Sequence, residues 1–405
     1  MNCRVSGLDD LKEVINLGDQ YYTGYFPNSA QEEVPTGNLS LGISQSSNLL
    51  QMMHSFNPAM MYGDNYGYRS GLNQSMVQHL EYLSNYLQSL KSLDSDDVVL
   101  DIGSNDGTFL NSIKNKGIKR IGIDPSSKKF RNFYDQDIFT SNKFFSKDAF
   151  FSLSDKPASL VVSISMFYDL EDPVKFAKEV NECLSDDGIW FLEQSYMPRM
   201  LETISFDTIC HEHYEYYSLS TLKNIIEKAG FYLADVIFND INGGSFGVVC
   251  TKDKNFVSDR SKKIIDWVLN YEEKLGLNTL NPYLEFSQKV KFFKDTFIDL
   301  INNIKSDEAT ISGIGASTKG NVLLQYCNFD NNIIDNIGDV NKNKEGCFTP
   351  GTKIPIFSEE EVLKKNPDYL LILPWHFKNF FMKRFEKFRL NGGKLIFPLP
   401  NIQIL

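Results

Sequence analysis

The run Val98-Val99-Leu100-Asp101-Ile102 passes directly into Gly103-Ser104-Asn105-Asp106-Gly107-Thr108-Phe109, and this junction constrains the fold more than any other stretch of the chain. A short apolar run that stops at glycine reads as a buried strand turning into a helix, because glycine tolerates positive φ and lets a ligand approach the backbone. Ile121-Gly122-Ile123 is a second such run, followed by Leu160-Val161-Val162-Ser163-Ile164 and Ile189-Trp190-Phe191-Leu192, with helical stretches between them. This alternation predicts a parallel sheet covered by helices on both faces, an α/β unit. Just before it, Met76, Val77, Leu80, Leu83 and Leu87 recur at helical spacing and predict a helix from about 74 to 90.

A second strand–helix alternation starts at Ala309-Thr310-Ile311-Ser312-Gly313-Ile314, continues through Tyr369-Leu370-Leu371-Ile372-Leu373 and ends with Lys394-Leu395-Ile396-Phe397. Residues 256 to about 305 read as helices interrupted at Pro282, and residues 1 to about 60 as short irregular segments with turn signals at Asn28-Ser29 and Pro35-Thr36-Gly37. With 405 residues the chain is too long for one ordinary core. The expectation is a small N-terminal domain (1–72) and two nucleotide-fold-like units (73–252 and 253–405). A net charge of −11 argues against a general nucleic-acid binder, which needs a basic stripe, although a few lysines suffice for a small phosphate-bearing ligand. No apolar run approaches the ~20 residues that span a bilayer, and the first residues lack a signal-peptide apolar region. The six cysteines (3, 183, 210, 250, 327 and 347) are scattered, with no C-x-x-C pair. A cytoplasmic setting without a membrane partner fits these features. They do not distinguish a monomer from a homodimer.

Asp124 closes the strand after the glycine loop and can accept hydrogen bonds from both ribose hydroxyls of a nucleoside. A dinucleotide fingerprint would leave the following helix start clear for a pyrophosphate. Here Asp106 stands in the loop, and a carboxylate suits the cationic amino and sulfonium groups of S-adenosylmethionine (SAM) better than a pyrophosphate. Asp101, Gly103, Ser104, Asn105, Asp106, Gly107 and Asp124 are therefore the expected cofactor residues. The bland rival is an ordinary strand-to-helix turn.

The densest polar and aromatic cluster is Asp207-Thr208-Ile209-Cys210-His211-Glu212-His213-Tyr214-Glu215-Tyr216-Tyr217-Ser218, which holds two of the five histidines. It follows the strand that ends at Glu193, Gln194 and Tyr196, and open α/β sheets bind ligands at that edge. Three readings compete: a metal site, which H-x-H alone supports weakly; a structural cluster; and a catalytic group in which an imidazole takes a proton from a carbon acid.

Together with two C-terminal stretches, these motifs resemble the sugar-nucleotide C-methyltransferases of deoxysugar biosynthesis. The C-terminal stretches are Gly313-Ile314-Gly315-Ala316-Ser317-Thr318-Lys319-Gly320-Asn321, and the pair Thr349-Pro350-Gly351-Thr352-Lys353-Ile354-Pro355-Ile356 and Leu373-Pro374-Trp375-His376. The resemblance implies a small zinc-binding N-terminal domain, a Rossmann-like class I SAM domain, and a C-terminal Rossmann-like domain that helps hold a nucleotide-sugar substrate. It also implies substrate contacts at Tyr66, Tyr68 and Ser70 and places Lys319 near a diphosphate; Tyr196, Tyr217, Asn321 and His376 are further expected substrate contacts. On this reading His213 removes the proton beside a sugar ketone, Glu212 positions His213, and His211, Tyr66 or Tyr68 holds the enolate oxygen. The chain departs from the family in one respect above all. Two zinc C-x-x-C pairs are replaced by Cys3-Arg4-Val5-Ser6 and Ser44-Gln45-Ser46-Ser47. No zinc is expected, and the N-terminal domain would fold by packing Leu39, Leu41, Ile43, Leu49, Leu50 and Met52. His376 and Cys210 also differ from residues common in the family. An O- or N-methyltransferase on such a sugar, or a noncatalytic SAM- or sugar-nucleotide-binding protein, are the alternatives.

Overall fold

A computed structural model describes residues 1–57, 61, 67–115 and 117–405; Tyr66 lies outside them. In chain order its strands are β1 (Leu11–Tyr21), β2 (Thr36–Ser44), β3 (Leu50–Met52), β4 (Val98–Ile102), β5 (Lys119–Ile123), β6 (Phe139–Ser141), β7 (Ala158–Ile164), β8 (Leu184–Ser195), β9 (Glu215–Tyr216), β10 (Tyr232–Asn239), β11 (Ser245–Thr251), β12 (Ile311–Ile314), β13 (Asn336–Asp339), β14 (Ile356–Ser358), β15 (Tyr369–Ile372), β16 (Lys394–Phe397) and β17 (Gln403–Ile404). They form three sheets, ordered β1-β2-β3-β9, β10-β11-β8-β7-β4-β5-β6 and β14-β13-β12-β15-β16-β17.

The central sheet is parallel from β8 to β6 and antiparallel at its β10-β11-β8 edge. Its inner strands β4 and β7 are buried on both faces, as their near-continuous apolar runs require. The helix α1 (Gln74–Leu90) covers one face through Met76, Leu80, Leu83 and Leu87, and Asn73 caps it by accepting the Ser75 N–H. The third sheet repeats the parallel arrangement with β17 antiparallel at its edge. Between the two sheets run α2 (Asp259–Lys274) and α3 (Asn281–Ser306). Pro282 lies in the first turn of α3, where its missing N–H costs nothing, so it starts a helix rather than interrupting one.

The N-terminal residues differ from their irregular expectation: β1 and β2 pair over most of their length as an antiparallel ribbon. Leu39, Leu41 and Ile43 point into the core with 0–3% exposure. Two register shifts in β1, between Glu13 and Ile15 and between Asn16 and Asp19, break its alternation and hide it from a period-two reading. Leu49, Leu50 and Met52 are buried with them, so the packing expected of this segment is present. The sheet is not self-contained, because its last strand, β9, comes from the His-Glu-His region (Leu50 pairs with Tyr216, Gln51 with Glu215). One apolar cluster then runs from Val14 and Leu41 through Phe206 and Tyr214 to Phe286, Ile314 and Trp375, joining the N-terminal sheet to the C-terminal unit.

Two tyrosines expected near substrate are structural instead. The Tyr196 hydroxyl donates to the buried Glu272 of α2 at 2.8 Å, and the same carboxylate accepts the Leu219 and Ser220 N–H groups at 2.6 and 2.8 Å. Tyr217 is 1% exposed and packs on Phe167 at 5.5 Å. A position at a strand's C-terminal end fixes where a residue is, not which face its side chain takes. Glu272→Ala leaves two helix-start N–H groups and a phenol without their acceptor, and we expect it to cost about 3 kcal/mol, read as a lower midpoint in urea denaturation; an unchanged midpoint would contradict the clasp.

Candidate active site

A cavity of about 310 Å³ opens at the C-terminal edge of β4, β5 and β7, where parallel sheets place their ligands. Asp101, Gly103, Ser104, Asn105 and Asp124 line it, as expected, together with Tyr68 and Ser70. Gly103 has φ +76°, and a Cβ there would meet the Met166 side chain at 2.9 Å, so glycine is required at the turn. Asp124 accepts the Asn105 N–H at 2.9 Å through one oxygen and the Ser126 N–H at 2.6 Å through the other.

Asp106 and Gly107 are not among the lining residues. Asp106 instead accepts the Gly71 N–H at 2.9 Å and lies 3.4 Å from the Arg69 Nε, while Asn105 accepts the Ser70 N–H at 2.9 Å and donates to the Tyr68 carbonyl at 3.1 Å. Asn105 thus both lines the cavity and clamps segment 68–71, whereas Asp106 only clamps it. Gly107, φ +77°, makes room for Tyr134, whose hydroxyl donates to the Asn105 carbonyl at 2.7 Å and so braces the loop. Tyr134 carried no motif and was not anticipated, nor were Asp169 and Glu171 on the cavity's far wall.

The cavity is acidic. Burial, with the neighbouring charges of Asp124 and Asp106, pushes the Asp101 carboxyl well above its usual range. Phe144, Phe145 and Pro125 supply an apolar end. An acidic end and an apolar, aromatic end fit the sulfonium, amino and adenine parts of SAM.

The His-Glu-His segment meets this cavity through residues 168–171. The His213 ring packs on Tyr168 at 4.3 Å, the Tyr214 N–H donates to the Tyr168 carbonyl at 2.8 Å, and the next residues, Asp169 to Glu171, form cavity wall. Nδ1 of His213 lies 2.9 Å from the Thr208 carbonyl. A carbonyl can only accept, so Nδ1 carries the proton and Nε2 presents a lone pair. Burial and the Lys319 charge hold this ring neutral, its pKa down at about 3. Orientation of His213 therefore falls to Thr208, not to Glu212 as expected. Glu212 bonds toward Cys210 and abuts Gly24, and burial raises its carboxyl above the usual range.

His211 is not beside His213. A turn, in which the His213 N–H donates to the Cys210 carbonyl at 3.1 Å, sends the two rings apart. His211 is fully buried between Tyr22 and Phe56, 4.6 and 4.8 Å away, with Nε2 toward the Gly37 carbonyl. Its ring neighbours are thus different from those of His213.

The C-terminal unit contributes Lys319 and His376. Lys319 donates to the Asn242 carbonyl at 3.1 Å, and its charge acts on His213, His376 and Asp207. His376 is lowered to about 3, first by burial and then by Lys319. Its neighbour Trp375 donates to the buried Asp207 at 2.8 Å, a contact absent from the expected site. Asn321 is 1% exposed and its amide donates to the Thr23 carbonyl at 2.7 Å, which ties the helix Thr318–Tyr326 to the N-terminal segment. In the C-terminal glycine loop, Asp339 accepts the Ala316 N–H at 2.7 Å, the same construction that Asp124 makes with Asn105.

Comparison with known proteins bears on this arrangement. Residues 68–236 match a family model described as a methyltransferase domain, 240–400 one described as a C-methyltransferase C-terminal domain, and 3–62 one described as a putative zinc binding domain. C-methyltransferase NovU of Streptomyces niveus is 28% identical over 410 residues, covering 100% of this chain and 96% of its own. A tRNA U34 carboxymethyltransferase of Campylobacter lari is 25% identical over 48% of this chain and 63% of its own. The solved mitomycin 7-O-methyltransferase MmcR aligns over 45% of this chain and 55% of its own, with 12% identity and a TM-score of 0.36. Fold, cavity and matches together define a SAM-dependent methyltransferase. More particularly, the chain is similar over its whole length to a C-methyltransferase, and the three matched models follow one another along it.

Zinc does not fit the residues present at the N-terminal domain: the four C-x-x-C positions are Cys3, Ser6, Ser44 and Ser47, and hydroxyls are poor zinc ligands. Among the described residues no group of three or more His, Cys, Asp or Glu converges as a metal site, and no helix is long and apolar enough to cross a membrane.

A cationic ligand would return the Asp101 carboxyl toward ionisation, so the complex binds fewer protons than the free protein and affinity rises with pH across that window. We expect SAM binding measured by calorimetry in buffers of different ionisation enthalpy to release protons, and Asp101→Asn to abolish the release.

Proposed function

We propose that this C-methyltransferase acts on a carbon beside the ketone of a nucleotide-linked keto-deoxysugar, which it first converts to an enolate. The observation that carries this reading is the His213 ring, its Nδ1 against the Thr208 carbonyl and its face on Tyr168, whose next residues line the cofactor cavity, with the charge of Lys319 from the C-terminal unit acting on it. A carbon acid needs a base within reach, and a nucleotide diphosphate needs a cation.

SAM, when bound, supplies an electrophilic methyl group. The other steps belong to this chain's side chains. His213 Nε2 takes the C–H proton, and the Thr208 carbonyl steadies the imidazolium through Nδ1–H. Tyr68, on the cavity wall, or Tyr168, beside His213, donates its hydroxyl to the enolate oxygen. Lys319 receives the diphosphate, and pairing with it relieves the repulsion that depresses the His213 pKa. The ring thus becomes a better base when substrate is in place. Glu212, with its raised carboxyl, is a neighbour rather than an orienting partner. Enclosure between the two Rossmann-like units aligns the reactants.

Two outcomes test this. His213→Asn should lower kcat by about 10²–10⁴-fold, leave SAM affinity unchanged, and abolish deuterium exchange from solvent into the keto-sugar nucleotide measured without SAM. Near-normal turnover would remove His213 from the chemistry. In Lys319→Met the free-enzyme His213 is no longer held down by that charge, so the acid limb of kcat/KM should move to higher pH. An unmoved limb with only a raised KM would leave Lys319 a role in binding alone.

A further inference from the structure

The two N-terminal segments that carry the C-x-x-C spacing are built alike, although only one cysteine remains. In the first, Cys3 Sγ accepts the Ser6 N–H at 3.3 Å, the Gly7 N–H donates to the Cys3 carbonyl at 2.8 Å, and Gly7 has φ +74°. In the second, Ser44 Oγ accepts the Ser47 N–H at 3.2 Å, the Asn48 N–H donates to the Ser44 carbonyl at 3.0 Å, and Asn48 has φ +57°. Each is the same knuckle, a side-chain acceptor turned back on the N–H three residues on, closed by a left-handed residue.

The knuckles face one another. Cys3 Sγ and Ser47 Oγ are 3.1 Å apart, and the hydroxyls of Ser6 and Ser44 also bond to the Cys3 thiol. Ser44 in turn donates to Asp10 at 3.0 Å, and Asp10 accepts the Ser46 N–H at 2.7 Å. Four side chains thus meet at one point with their polar atoms satisfied by each other, which is what a buried polar cluster requires in the absence of a metal.

We infer that this corner is a zinc knuckle in which a hydrogen-bonded knot has taken the metal's place, and that its backbone still holds the four positions in a metal-ready arrangement. Substituting Ser6, Ser44 and Ser47 by Cys would place four thiolates around one Zn²⁺, each losing its proton to solvent on binding. The knot also has a mechanical role. Between Cys3 and Val5, Arg4 donates its N–H to Gln51 at 2.8 Å, lays its guanidinium 4.6 Å over the Tyr214 ring, and reaches Ser55 at 2.9 Å and the Glu171 carbonyl of the cofactor-cavity wall at 3.4 Å.

The full-length protein purified from zinc-supplemented medium should contain far less than one zinc per chain by mass spectrometry of the metal, and EDTA should leave its Tm unchanged. The Ser6→Cys/Ser44→Cys/Ser47→Cys variant should take up one zinc per chain and lose Tm on chelation. Stoichiometric zinc in the natural chain, with a Tm that falls on chelation, would overturn the knot. A triple variant that takes up no zinc, folded or not, would overturn the retained geometry.

Discussion

The pairing of Glu215 and Tyr216 with Gln51 and Leu50 is the contact on which the site's architecture depends. It recruits the His-Glu-His region of the methyltransferase unit as the last strand of a sheet begun by the N-terminus. Backbone ladder bonds fix register, and a one-residue slip would turn every side chain of β9 to the other face. A few residues upstream, the buried Asp207 is held by the indole of Trp375 from the C-terminal unit. Held at both ends by different domains, the segment has one place to put His213, against Tyr168, the residue before the cavity-lining stretch 169–171.

Charge is segregated along the same path. Asp101, Asp106 and Asp124 make the cofactor end acidic, whereas Lys319 dominates the end where the C-terminal unit approaches. On the proposed function, this sorts a sulfonium donor from an anionic acceptor. Neutral His213 sits on the basic side, where a nearby cation discourages its protonation until an anion arrives.

The strand–glycine–helix junction, Asp124 and both α/β alternations were legible because each is local: apolar periodicity and a few turn residues encode them. What escaped were contacts between residues far apart in sequence. Asp207 and Trp375 are 168 positions apart, and Tyr196 and Glu272 are 76 apart. His211 and His213 looked like a pair because spacing of two places residues on one face of a strand. The Cys210–His213 turn voids that rule and separates the rings. Asp106 was read as a ligand contact because motif position alone does not say which neighbour a carboxylate will find. It found Gly71 and Arg69. The register shifts in β1 similarly made a long strand resemble loop.

The clasp at Glu272 decides which unit its helix belongs to. Since α2 is bound to the start of helix Leu219–Lys228 and to Tyr196 through one carboxylate, it travels with the central sheet. The chain passes on toward the C-terminal sheet through a short turn at Gly276, φ +71°, after which Pro282 starts the next helix. One buried carboxylate thus fixes a helix outside the sheet to the segment that carries His213.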